Sequence, residues 1–235
     1  ARRPALHALR EQLQELNTDI VFLQEVVGAH TGHAARHADW PAQSQYEYLA
    51  DRLWQSHAYG KNAVYDAGHH GNALLSRYPI TRWDNEDVST HRFERRGLLH
   101  CEIDIPGWTQ KLHCVCVHLA LTARGRGRQL ERLRQRIERL VPADAPLIIA
   151  GDFNDWYWRE RATHALAHPL NMHEVFELAG GTPARSFPAV LPLLRLDRIY
   201  VRGFSVREAR VHHGRQWARV SDHAPLIAQL ERLPD

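Results

Sequence analysis

The stretch Lys111-Leu-His-Cys-Val-Cys-Val-His-Leu-Ala-Leu121 decides the fold. Its alternation puts Leu112, Cys114 and Cys116 on one face of a strand and Val115, Val117 and Leu119 on the other. Both faces are apolar, so both must be covered. Such a strand belongs inside a layered fold, not in a sheet open to water. Pro106-Gly107-Trp108 lies just upstream and reads as the turn of a hairpin from a strand over 97–105.

Working outward, Leu130, Leu133, Ile137 and Leu140 recur at helical spacing in 129–141, with arginines opposite. Leu147-Ile-Ile-Ala150 is a short buried strand, and 196–201, 206–211 and 225–230 supply three more. Upstream, Pro4 suits a helix start, and Leu6, Leu9, Leu13 and Leu16 form one apolar stripe that Asn17-Thr18-Asp19 ends. Ile20–Leu23 and Ala73–Leu75 are strands, the second closed by Tyr78-Pro79. A helix is expected over 46–54, with the rest of 28–70 irregular. Mixed helices and strands with hairpin connections favour an α/β layered sandwich over a doubly wound sheet. No strand is followed by G-x-G-x-x-G, and no P-loop sequence occurs.

The 235 residues are 44% hydrophobic and 24% charged, enough for a sizeable core and against disorder. No linker, repeat or low-complexity stretch interrupts them, so a single domain over 1–235 is expected. The net charge of +3 does not mark a dedicated nucleic-acid coat. Of the thirty basic residues only Lys61 and Lys111 are lysines. Arginine is a rigid fork for phosphates, although a genome rich in G and C explains most of the bias. Cys101, Cys114 and Cys116 are too few for a disulfide framework and read as buried thiols of a reducing compartment. No apolar run approaches the roughly 20 residues that cross a bilayer, and no signal peptide is visible. A cytoplasmic monomer is expected.

Five apolar stretches adjoin polar groups that a core strand does not need. Val21–Leu23 leads to Glu25, Val115–Val117 to His118, and Leu147–Ala150 to Gly151-Asp152-Phe153-Asn154. Asp197 follows Leu194-Arg195-Leu196, and Ser221-Asp222-His223 precedes Ala224-Pro225-Leu226-Ile227. A charged group at the edge of a buried strand costs stability unless it is paired or binds something. Singly, each has an ordinary explanation: a surface acid, a carbonyl-bonded histidine, an Asx turn at Asp152, an ion pair of Asp197 with Arg195 or Arg198, a cap at Asp222. Five in one chain are simpler to explain as one polar cleft.

Together these stretches resemble the endonuclease/exonuclease/phosphatase superfamily. The resemblance rests on Asp19-Ile-Val-Phe-Leu-Gln-Glu25, Gly71-Asn-Ala-Leu-Leu-Ser-Arg77, Val117-His118-Leu119, Gly151-Asp-Phe-Asn154, Leu196-Asp-Arg-Ile-Tyr200 and Ser221-Asp-His223. It implies a four-layer α/β/β/α sandwich of two packed mixed sheets flanked by helices, with the active site at one end of the sheets. It further implies a Mg²⁺ or Mn²⁺ cofactor held by Glu25, with Asp222 a second acid near it. His223 corresponds to the general base, and Asp197 to the acid that orients its ring. Asp152 and Asn154, two apart and facing the same way if the segment is extended, correspond to the pair that positions the nucleophile. His118 corresponds to the group that stabilises the pentavalent phosphorus. The implied chemistry is hydrolysis of a phosphate ester by in-line attack of water, without a covalent intermediate.

Family members carry a strand with a metal-site asparagine ahead of the first helix. This chain opens on Ala1 and its only methionine is Met172, so that strand is expected upstream. Arg96, Asn72 and Trp156 are the expected substrate contacts, with Arg124, Arg126 and Arg128 near the cleft mouth. Trp156-Tyr157-Trp158 could stack on a base or rest on lipid, or simply pack. The substrate is expected to be a phosphodiester: nucleic acid first, a phospholipid head group second, an inositol phosphate also open. His30, His33 and His37 have a spacing that zinc could use, without a recognised companion ligand. The competing function is a non-catalytic relative that binds a phosphorylated ligand or protein through the same cleft.

Overall fold

The structure is a computed structural model that describes residues 5–30, 43–65, 68–91, 94–156 and 161–234. Strands β1 (Ile20–His30), β2 (Ser56–Tyr65) and β3 (Gly68–Ser76) form an antiparallel sheet in the order β1-β3-β2. A larger sheet runs β4-β5-β6-β7-β9-β8, from β4 (Ile80–Asp87), β5 (Gly97–Ile103), β6 (Leu112–His118), β7 (Leu147–Asp152), β8 (His173–Glu174) and β9 (Asp197–Arg202). It is mixed: β6 and β7 are parallel and the other neighbours antiparallel. β10 (Phe204–Val211) and β11 (Leu226–Arg232) pair as a hairpin.

The two faces of β6 enter different cores, as its sequence requires. Val115, Val117 and Leu119 pack with Leu130, Leu133 and Ile137 of helix α3 (Ala123–Leu140). Leu112, Cys114 and Cys116 pack toward Ala58 and Leu74 of the smaller sheet and Phe204 of the hairpin. A third cluster joins Leu6 and Leu13 of α1 (Ala5–Leu16) and Leu49 of α2 (Gln45–Ala50) to Val21 and Leu75. The resulting layers are helices, sheet, sheet, helix, the α/β sandwich expected. Every β6 residue is buried. At about 2 kcal/mol per large apolar side chain, this strand does most to hold the two inner layers together.

Several boundaries differ from the sequence reading. α3 starts at Ala123, not near 129, because Thr122 caps it: its hydroxyl accepts from Gly125 N at 3.1 Å. β1 continues past Leu23 through a bulge, which hides its length from a strict alternation. β2 and β4 were not anticipated. β4 is an edge strand reading Ile-Thr-Arg-Trp-Asp-Asn-Glu-Asp, mostly exposed, so its polar sequence carries no apolar pattern. Its Asp84 and Glu86 pair with the buried Arg136 of α3 at 2.6 and 2.7 Å. Arg126 does not sit at the cleft mouth. It is buried and donates to Leu121 O at 2.7 Å, closing the turn before α3.

The three cysteines are free and buried, and burial pushes their thiols up, Cys116 to about 12. Among the described residues no helix is long and apolar enough to cross a membrane. Of the zinc-like histidine spacing, His33 and His37 lie outside the described residues, as do Tyr157 and Trp158.

Candidate active site

Strand register builds the centre of the site. His118 at the end of β6 is the parallel neighbour of Asp152 at the end of β7. Asp152 is the antiparallel neighbour of Asp197 at the start of β9. Three adjacent strands therefore deliver His118, Asp152 and Asp197 side by side along one sheet edge. Gly151 permits this: its φ is 144°, and a Cβ there would meet Val117 O at 2.0 Å. His223 completes the row from the loop before β11, with Nδ1 at 2.7 Å from Asp197 Oδ2.

A second tier fixes these groups. Asp152 Oδ1 accepts from Asn154 N at 2.8 Å. Asn154 is not extended, as the two-apart argument assumed, but left-handed with φ of 52°. Its side-chain amide donates to Leu119 O at 2.9 Å, and its Oδ1 accepts from the Trp156 indole at 3.2 Å. Arg96 Nε also donates to Leu119 O, at 3.1 Å, while its Nη2 meets Glu94 at 3.3 Å. Its Nη1 donates to Arg95 O at 3.3 Å, so three partners hold the Arg96 guanidinium in the cleft wall. Trp156 lies edge-on to Phe187 at 5.9 Å, and Phe187 packs on the His223 ring at 5.1 Å. Ser186 Oγ accepts from Asp197 N at 3.2 Å.

Burial splits the protonation states of this row. Burial, with Asp197 adjacent, pushes Asp152 up to about 7. Burial pulls His118 down to about 3, and the positive charge of Arg96 and His223 adds to that. His118 is therefore neutral, and its 3.6 Å approach to Asp152 is a polar contact rather than an ion pair. For His223, burial acts downward, but the hydrogen bond and charge of Asp197, with Asp152 and Asp222, outweigh it and raise the ring to about 9. One histidine is kept neutral and the other charged within a single row, the separation expected of an acid–base site. His70 also bears on His118, so the start of β3, which carries His69 and His70, approaches the cleft.

Glu25 enters from the opposite sheet. Gln24 and Glu25 form the β1 bulge, two residues opposite Asn72 alone, since Leu23 pairs with Ala73 and Val26 with Gly71. Glu25 is exposed and left-handed, with φ of 57°, a strained choice for a glutamate. Asn72 is fully buried, and its amide donates to Gly97 O at 3.0 Å and Cys116 O at 3.3 Å. It ties the two sheets together directly behind the bulge. Asn72, expected as a substrate contact, is 0% exposed here and lies between the sheets, opposite the bulge.

Asp222 is exposed, and its carbonyl accepts from Ala189 N at 2.7 Å. Among the described residues no three His, Cys, Asp or Glu side chains form a closed metal cage. The hard oxygens at the row itself are those of Asp152, Asn154 and Asp222, whose charge bears on His223; Glu25 adds a further carboxylate on the β1 bulge of the other sheet. Asp152 and Asp197 repel each other enough to raise the former. That donor set fits a cation held by one or two carboxylates and water, the habit of Mg²⁺, and not a four-ligand zinc site.

Sequence reasoning missed Ser186 and Phe187. Their roles run through a backbone hydrogen bond and a ring face, and neither leaves a motif. The one available signal was Ser186-Phe187-Pro188, which starts eleven residues before Asp197.

The chain belongs to the endonuclease/exonuclease/phosphatase family, whose model matches residues 1–223. It is 47% identical over 229 residues to the uncharacterized protein YbhP of Escherichia coli K12, covering 97% of this chain and 89% of that one. Its fold is similar to that of humanized D. rerio TDP2, with a TM-score of 0.72, 22% identity and coverage of 97% and 91%. It is similar also to a Bacteroides thetaiotaomicron mannosyl-6-phosphatase, with a TM-score of 0.71, 15% identity and coverage of 97% and 90%.

Proposed function

We propose that this protein is a Mg²⁺- or Mn²⁺-dependent phosphodiesterase that hydrolyses its substrate with a water activated by His223. The observation that carries the reading is the row His118–Asp152–Asp197–His223, with a neutral histidine at one end and a charged one at the other. Glu25 and Asp222 would hold the metal, which supplies charge neutralisation at the phosphoryl and leaving-group oxygens.

Asp197 engages Nδ1, so Nε2 is the His223 nitrogen left to take a proton from water. Asp152 helps hold the proton on that ring. Neutralising its carboxylate weakens the hold and brings His223 toward the neutral form a base requires. His118, neutral and buried, donates a hydrogen bond toward phosphoryl oxygen without placing a second charge in the cleft. Asn154 is locked by three hydrogen bonds and fixes the attack geometry beside Asp152. Arg96 and Trp156 stand in the same wall as contacts for the substrate phosphate and its attached group. Packing of Phe187 on His223 keeps the ring in the plane that Asp197 sets.

A nucleic acid and a phospholipid head group both present a diester. One structural neighbour, D. rerio TDP2, was seen with a single-stranded DNA product. A panel of bis-p-nitrophenyl phosphate, p-nitrophenyl phosphate, oligonucleotides and phospholipids, with metal or with EDTA, tests the reading. Diesters should be hydrolysed only with metal. Metal-loaded protein that leaves every diester intact refutes it.

A further inference from the structure

Ten large apolar side chains are exposed among the described residues, and three of them, Val190, Leu191 and Leu193, fall within four consecutive positions. Their exposures are 52%, 64% and 54%. Single exposed leucines need no explanation, but a run at the tip of one loop does. The loop is a braced finger. Phe187 and Leu194 bridge its neck, with Leu193 N and Leu194 N both donating to Phe187 O at 2.8 Å. Leu191 N turns back to Pro188 O at 3.1 Å. These backbone donors are satisfied within the finger, so what the tip presents is apolar side chain.

Two features say what covers it. The finger is tied to the catalytic loop and to a basic segment: Ala189 N donates to Asp222 O at 2.7 Å, and Gly214 N donates to Ala189 O at 2.8 Å. Arg215 and Arg219, both exposed, follow directly on Gly214, and exposed Arg185 stands at the neck. An apolar tip with arginines around its base matches an anionic lipid surface, where the leucines enter the acyl boundary and guanidiniums meet phosphates. Three side chains on a narrow tip offer much less than the roughly 800 Å² that a stable protein partner occupies. Phe187, at the base of the finger, packs on His223. A docked finger therefore brings the catalytic row to head-group level.

We infer that the 187–194 finger docks the protein on anionic membrane surface, and that the diester it cleaves is a phospholipid head group. The second half rests on the phosphodiesterase reading, and the first does not. The test uses the whole protein with vesicles of phosphatidylcholine, alone or mixed with phosphatidylglycerol, and compares wild type with Leu191→Asp/Leu193→Asp and with Arg215→Ala/Arg219→Ala. Wild type should sediment with the mixed vesicles. The leucine pair should weaken partitioning roughly a hundredfold, since burial of each leucine is worth tenfold or more. The arginine pair should weaken it about fivefold per charge on anionic vesicles only. Release of head groups from vesicles should fall in step, while hydrolysis of soluble bis-p-nitrophenyl phosphate stays at the wild-type rate. Equal sedimentation of wild type and leucine variant, or none by wild type, overturns docking. Loss of single-stranded oligonucleotide binding in the leucine variant, with vesicle binding intact, would assign the finger to nucleic acid instead. If wild type binds vesicles but is inert on soluble diesters, the phosphodiesterase reading fails and docking stands.

Discussion

Asp152→Asn should make the metal-free protein more stable while abolishing activity. Asp152 is 7% exposed and lies beside Asp197. Burial and that neighbour lift it from 3.8 to about 7, which corresponds to about 4 kcal/mol of disfavoured charge once the carboxyl ionises. Asparagine keeps an oxygen to accept from Asn154 N and carries no charge. The gain is smaller than the full figure because His223 loses an attractive partner, leaving about 2 kcal/mol. A carboxyl raised in the folded state favours folding below its unfolded value of 3.8 and loses that contribution as pH rises through 7. The advantage of the variant should therefore be largest at pH 8 and shrink toward pH 5. Thermal melts of EDTA-treated proteins read it directly. A domain of this size shifts by about 2–4 °C per kcal/mol, so a rise of roughly 6 °C is expected at pH 8. An unchanged or lower melting point at pH 8, or the same difference at pH 5, would refute the electrostatic reasoning.

Asp197→Asn should let the His223 ring titrate below its raised value of about 9, visible by NMR in metal-free protein, and should lower kcat roughly a thousandfold. Asn72→Ala removes both buried hydrogen bonds between the sheets and should cost about 2 kcal/mol in urea unfolding. Its kcat should fall as well, because the Glu25 bulge loses its backing. Thr122→Ala removes the α3 cap and should cost about 1 kcal/mol, with kcat unchanged.

The layered fold was legible from β6 because apolar residues on both faces admit no other placement. His118, Asp152, Asp197 and His223 were legible because each follows or precedes an apolar run, and register then sets the first three side by side. The backbone around Asn154 was not legible. Its left-handed turn comes from a hydrogen bond to Asp152, and spacing alone cannot separate that from an extended strand. Asn72 looked like a site residue because it stands in the family motif, yet its work is between the sheets. β4 was invisible for the opposite reason: an edge strand is polar by necessity, and its partner in the sheet defines it. Ser186, Phe187 and the apolar finger act through backbone bonds, ring packing and exposure, all properties of the folded chain.

In the proposed reaction one cleft uses His223 and a bound cation to cut a phosphodiester. The rate on bis-p-nitrophenyl phosphate, measured for wild type and His223→Ala with Mg²⁺ or Mn²⁺ and with EDTA, tests it most directly. Metal-loaded wild type should turn over, EDTA should abolish that turnover, and the variant should be slower by roughly a thousandfold or more. Turnover by the variant at the wild-type rate, or metal-loaded wild type as inert as the variant, would contradict it.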